Sequence, residues 1–124
     1  MKILITGSRE WMNFAAMEAA FAKMPRDVTL VHGHCLSGAD AMADRLGQRF
    51  GFDIRRYPAD WDRYGKGAGH IRNQEMIDKE HPDSDGVLFD FGLAFSIDLT
   101  QSHGTRDCVR RALKAGIKMV HIKG

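Results

Sequence analysis

The feature that most constrains this chain is its alternation of strand-like and helix-like runs, with a glycine-bearing polar turn wherever a strand hands over to a helix. "KILITGS" is a short, nearly continuous apolar run ending in glycine, and Phe14, Met17, Phe21 and Met24 then recur at helical spacing up to Pro25. "VTLVHG" predicts a second strand. Ala39, Met42, Ala43, Leu46 and Phe50 predict the helix after it, ending at Gly51. "FDIRRYP" reads as a third strand, and the polar loop "ADWDRYGKGAG" leads into a third helix that runs to about His81 before Pro82. A fourth strand lies within Gly86 to Phe95, where "GVLF" and "GLAF" both fit. "GTRDCVRRALKAG" predicts a fourth helix with Val109, Ala112 and Leu113 on one face and Gly116 as its cap, and "IKMVHI" closes the chain as a fifth strand.

Strand runs that are apolar throughout, separated by helices, belong to a parallel sheet covered on both sides. The expected fold is α/β: a single Rossmann-like domain over residues 1–124, with about five parallel strands and helices on both faces. The 124 residues suffice for one such domain with its own core.

In open sheets of this kind, ligands bind at the carboxyl ends of the strands near the switch in strand order. The four turns at that end read "TGSRE", "HGHCLSGAD", "ADWDRYGKGAGHIRN" and "SIDLTQSHGTRD". The opposite turns, at Pro25–Asp27, Gly51, Pro82–Asp85 and Gly116, are short and plain. One end of the sheet is therefore the expected site.

"VHGHCLSGAD" begins like a phosphate-binding P-loop, but Ala39 and Asp40 stand where that loop continues Lys-[Ser/Thr]. A carboxylate in the first turn of a helix complements the helix dipole and repels phosphate. Gly33, Gly38, Ala39 and Asp40 are thus expected to meet a sugar or a base, and a triphosphate with Mg²⁺ is not. Gly7, Ser8 and Arg9 would bring backbone N–H groups, a hydroxyl and a guanidinium to one corner, a set suited to phosphate or carboxylate. Ser8 as an ordinary helix cap is the competing reading. Ser102, Gly104 and Thr105 open the fourth helix as an anion site or as plain capping. Arg72 either faces the ligand with Asn73 or pairs with Glu75, and Trp61 is either a hydrophobic plug or a stacking platform.

His32, His34 and Cys35, with His103 or Cys108, match no standard zinc spacing, so neither metal nor cofactor is expected. A Cys35 nucleophile is a minor alternative, and Cys108 follows the apolar face of its helix. The 18 basic and 16 acidic side chains nearly balance. Arg55-Arg56 and Arg110-Arg111 are the only basic doublets, so nucleic acid is not an expected partner. No apolar run reaches membrane-spanning length, and "ILITG" is too short for a secretory leader. With only two cysteines, a cytoplasmic location is expected.

In this order, "GSREW", "HGHCLSGAD", "ADWDRYGKGAGHIRNQEM" and "SHGTRDCVRRALKAGI" resemble the SLOG superfamily, which joins the SMF/DprA and LOG proteins, and within it the small YspA/YpsA-related branch. The resemblance implies a Rossmann-like fold binding a nucleotide or nucleotide-derived ligand, such as an ADP-ribose or NAD derivative or a nucleoside monophosphate, as a sensor or sequestering module. It implies that Gly7-Ser8-Arg9 and Gly104-Thr105 cradle phosphate, that Gly38 to Asp40 and Arg72-Asn73 line the pocket, and that the chain forms a homodimer or larger homo-oligomer. Phe91, Leu93 and Phe95 would be interface residues if exposed, and otherwise strand. LOG enzymes cleave an N-glycosidic bond and carry PGGxGTxxE. Here the sequence is "QSHGTRDC", with Cys108 at the glutamate position and Asp107 one residue early. A hydrolase acting on nucleoside monophosphates is the alternative, with Asp40 and Asp107 as its candidate catalytic carboxylates.

Overall fold

A computed structural model of the chain describes residues 1–81 and 88–124. Five strands, β1 (Lys2–Gly7), β2 (Thr29–His32), β3 (Asp53–Arg56), β4 (Phe91–Phe95) and β5 (Met119–Ile122), form one all-parallel sheet in the order β3-β2-β1-β4-β5. The helices are α1 (Phe14–Ala22), α2 (Gly38–Phe50), α3 (Trp61–Tyr64), α4 (Ala68–Glu80) and α5 (His103–Lys114), with a 3₁₀ turn at Gly65–Gly67. The α/β Rossmann-like expectation is met.

Alternation along β1 assembles the two layers. Ile3 and Ile5 point into one core with Met17 and Phe21 of α1 and Ala43 and Leu46 of α2. Leu4 points into the other, with Met76 and Ile77 of α4 and Cys108 and Ala112 of α5. Ile3, Leu4 and Ile5 are fully buried, and each such side chain contributes about 1.5–3 kcal/mol. Helix α1 starts at Asn13, whose side chain accepts from the Ala16 N–H at 3.0 Å.

Four readings are refined. The "GLAF" register is the one that forms β4, while Leu88 is exposed and Phe89 is buried just before the strand. Gly86 and Val87 of "GVLF", and the turn at Pro82–Asp85, lie outside the described residues. Leu93 and Phe95 are buried because β4 sits between β1 and β5, so they are core and not interface. Leu113 is 56% exposed, since it lies about 100° around α5 from the buried Ala112. The loop after β3 is not plain coil: Asp60 caps the short α3 by accepting from the Arg63 N–H at 3.1 Å. No helix among the described residues is long and apolar enough to cross a membrane.

Candidate functional site

The chain winds outward from β1 to β3, then returns to place β4 on the other side of β1. The turns leaving β1 and β4 therefore diverge, and a cleft of about 530 Å³ opens between them at the carboxyl ends of the strands. Gly7, Ser8 and Arg9 line it from the first turn, and Gly33 and Asp40 from the second. Trp61, Arg72 and Asn73 come from the α3–α4 segment, and Ser102, Gly104 and Thr105 from the start of α5. Eleven of the fourteen residues singled out in the sequence thus meet in one cavity; Gly38, Ala39 and Asp107 do not line it.

Gly38 and Ala39 instead brace the first turn from behind. The Ala39 N–H donates to the Ser8 carbonyl at 3.0 Å, and Ser8 is itself tied to β4 through its N–H on the Phe95 carbonyl at 2.9 Å. Gly38 has φ +71°, and a Cβ there would collide with the Ser8 carbonyl oxygen and lie 2.5 Å from Arg9 Cα. Ser8 does not cap α1, because its hydroxyl accepts from the Glu10 N–H at 3.0 Å instead.

Arg72 does not pair with Glu75. Its Nη1 donates to the carbonyls of Gly33 and, at 3.3 Å, Tyr57, and its Nε donates to Asn73 Oδ1 at 2.9 Å. A Cβ on residue 33 would fall 2.5 Å from the guanidinium carbon, so glycine there is what admits the arginine. Asn73 continues the chain of bonds by donating to Asp107 Oδ2 at 3.1 Å and the Gly104 carbonyl at 3.3 Å. Asp107 also accepts from Arg110 at 3.0 Å and Arg111 at 2.9 Å. Burial pushes its carboxyl up, but Arg111 and Asn73 outweigh that and hold it below its usual range. Asp107 fastens α5 to α4 beneath the cleft, so Asp40 alone of the two candidate carboxylates faces it.

Asp40 is 5% exposed. Its Oδ2 accepts from the Cys35 N–H at 3.2 Å, while Oδ1 has no hydrogen-bond partner among the described residues. A buried, unpartnered carboxylate oxygen costs about 1–3 kcal/mol or more. Across the cleft, the first turn of α5 holds no acidic residue and Ser102 forms no side-chain cap; its hydroxyl pairs with that of Ser96 at 2.9 Å. The amide dipoles at that end are thus open to an anion. Arg9 lies with its guanidinium 5.6 Å from the Trp61 ring centroid and has no carboxylate partner among the described residues. One wall accepts hydrogen bonds and the other attracts negative charge.

Trp11, Lys66, His70 and Ile97 line the cleft too, and sequence reasoning did not single them out. Trp11 is buried, and its Nε1 likewise finds no partner among the described residues. Its place in "GSREW", next to the turn already chosen, was the available signal.

The metal reading meets a chemical obstacle. His32, His34 and Asp44 are close enough to hold an ion. But the His34 N–H donates to His32 Nδ1 at 2.9 Å, which leaves His32 Nε2 to carry the proton it shares with Asp44 Oδ2 at 2.8 Å. A metal-bound histidine ordinarily donates from its second nitrogen, and this one accepts. Asp44 is also gripped twice by Arg56, at 2.6 and 3.0 Å, which holds its carboxyl well below the usual range. Burial, then Asp40, pushes the Cys35 thiol up, opposite to what a nucleophile needs. Cys108 is fully buried, and burial pushes its thiol up to about 12, so the position of the LOG glutamate is core here. Both basic doublets are engaged: Arg55 with Glu80 at 2.5 Å, Arg56 with Asp44, and Arg110 and Arg111 with Asp107.

Two comparisons bear on this geometry. The sequence model described as YAcAr (YspA, cpYpsA-related SLOG family) matches residues 1–64. The Gene 61 protein of Mycobacterium phage D29 is 37% identical over 129 aligned positions, covering 97% of this chain and 94% of that protein.

Proposed function

From the membership of this chain in the YspA, cpYpsA-related SLOG family, together with its cleft, we propose that it binds a nucleotide or nucleotide-derived ligand at the carboxyl ends of its strands, as a sensor or sequestering module. The observation that carries this is the pairing of Asp40, with a buried oxygen lacking a partner among the described residues, with the open N-terminus of α5 in one cavity. A molecule that satisfies both walls carries a hydrogen-bond donor and an anion a few ångströms apart, as a ribose phosphate does. In this reading the phosphate lies against Gly104 and Thr105, a ribose hydroxyl donates to the Asp40 carboxylate, and the base stacks toward Trp61. The engaged basic doublets argue against a phosphate-backbone track for nucleic acid.

The test is calorimetric titration with AMP, ADP-ribose and NAD, after native mass spectrometry of the purified protein for a retained ligand. Micromolar binding that changes little between low and moderate salt is expected. Failure of all three to bind would end the nucleotide reading. Cleavage of an N-glycosidic bond is the second reading, favoured by Asp40 alone; release of free base from a bound monophosphate, abolished in Asp40→Asn, would promote it.

A further inference from the structure

Of the cleft residues that the sequence did not single out, His70 has the most specific surroundings. It stands in the first turn of α4, lines the cleft and has a side chain 57% exposed. Its Nδ1 is 4.0 Å from Oδ1 of the buried Asp107, just beyond hydrogen-bond length, and the ring makes no hydrogen bond among the described residues. We propose that His70 is a proton-dependent ligand contact: with Nδ1 turned toward Asp107 and Nε2 toward the cleft, the protonated ring binds the ligand's phosphate, so that acidification tightens binding. The inference rests on the nucleotide reading above and adds to it a regulation by pH.

Three observations support it. The first is spare acceptor capacity on Asp107. Its Oδ2 accepts from both Asn73 and Arg111, whereas Oδ1 accepts only from Arg110, whose side chain is 75% exposed. A carboxylate oxygen offers about two lone-pair sites, so one on Oδ1 is left for a histidine N–H, and a small rotation of the ring closes the distance. The second is the balance of charge. At the N-terminal end of α4 the helix dipole opposes a positive ring. Asp107, whose carboxyl Arg111 and Asn73 hold below its usual range despite burial, favours one, and a bound phosphate would add to its side. The third is position. Asn73, one turn after His70, donates to Asp107 and to the Gly104 carbonyl. Those contacts set His70 beside the start of α5, where the phosphate lies in the reading above. The other charged groups lining the cleft are Arg9, Glu10, Asp40, Lys66, Arg72 and Asp98. Among the described residues, Asp107 alone of the carboxylates pairs with His70. Histidine is the side chain that ordinarily changes charge between about pH 5 and 8, and His103 is the other imidazole lining the cleft.

Calorimetric titration with AMP and with ADP-ribose, each at about pH 8 and about pH 5.5, tests this in the wild type, His70→Gln and His70→Lys. Comparing proteins with one probe at a time cancels the ligand's own ionisation. An opposite charge a few ångströms away favours the charged form by about one pH unit or more, and linkage carries the same factor into affinity. On going to the lower pH, the wild type should therefore gain roughly tenfold in affinity relative to His70→Gln. His70→Lys keeps its charge at both pH values and should bind at both about as tightly as the wild type does at the lower. His103→Asn should keep the gain. A pH response equal in the wild type and His70→Gln, or unchanged in His70→Lys, would overturn the inference and leave the nucleotide reading standing. So would a gain lost in His103→Asn but kept in His70→Gln. An equal loss of affinity at both pH values in His70→Gln, with circular dichroism showing an intact fold, would make the contact independent of protonation and overturn it as well. No binding of either probe at either pH would overturn both readings.

Discussion

Replacing Asp40 by alanine should separate ligand binding from stability. In the folded protein the change removes one hydrogen bond from the Cys35 N–H to a charged acceptor, about 1.5–3 kcal/mol, and a helix-dipole contribution of about 0.3–1 kcal/mol. It also relieves a buried carboxylate oxygen that has no partner among the described residues, worth about 1–3 kcal/mol in the opposite direction. These opposed effects leave a net change within about 3 kcal/mol, or a melting shift of less than about 15 °C for a domain near this size. Binding has no such compensation. Loss of a charge-assisted hydrogen bond from a ribose hydroxyl costs about 1.5–3 kcal/mol, so affinity should fall by roughly 10- to 150-fold. The assay pairs a thermal melt of the unliganded protein with calorimetry against whichever nucleotide binds the wild type. A variant that melts more than about 15 °C lower would mean that Asp40 serves the fold, contrary to the reasoning. Unchanged affinity with an intact fold would mean that the ligand does not touch it.

Other consequences are open to direct measurement. Gly38→Ala places a Cβ at φ +71° against the Ser8 carbonyl and should cost on the order of 2–4 kcal/mol, read as a lower urea midpoint; an unchanged midpoint would show that the α2–β1 clamp is slack. Glu80 accepts from Tyr57 and Arg55 and pairs with Lys2 at 3.1 Å, so Glu80→Ala removes all three side-chain contacts and should cost about 3–5 kcal/mol in chemical denaturation. A loss below about 1 kcal/mol would contradict that account of the network. Asp44, Asp107 and Glu80 all have carboxyls held below their usual range, Asp44 chiefly by Arg56 and the other two despite opposing burial. A depressed folded pKa stabilises above the unfolded value and loses that stabilisation as pH falls through the folded one, so the urea midpoint should decline once pH drops below about 4. Asp44→Asn should flatten part of that decline, and a midpoint that rises on acidification would reverse the sign. Iodoacetamide at pH 8 should leave Cys108 unmodified in the native protein, given a thiol raised to about 12, and label it once urea is added; mass spectrometry decides.

The fold was legible because the strands read as short, mostly apolar runs spaced by helical periodicity, with β1 and β2 running into glycine, a pattern that survives without knowledge of its neighbours. The cleft was legible for a related reason: chemistry concentrated at one end of the sheet only. What escaped depended on partners in space. Asp107 follows Gly104 by three residues, and nothing local distinguishes the face of α5 toward the cleft from the face toward α4; only Asn73, from another helix, decides it. Leu113 misled because an apolar residue one step past the core face satisfies the same count as one on it. Trp11 stood beside the chosen turn, but only its packing in space shows the indole buried at the cleft, with Nε1 unpartnered among the described residues.

The pairing of β1 with β4 has a bearing on biosynthesis. Residues 1–64, as they leave the ribosome, can arrange β1, β2 and β3 side by side, yet β1 would keep an open, apolar edge until residues 91–95 arrive. The half-made sheet is then most exposed to wrongful pairing with another nascent chain. Helix α5, which supplies the anion-facing wall, is made later still. A small molecule can therefore rescue this protein only after nearly all of it has been synthesised, and early misassembly is left to the strands themselves to avoid.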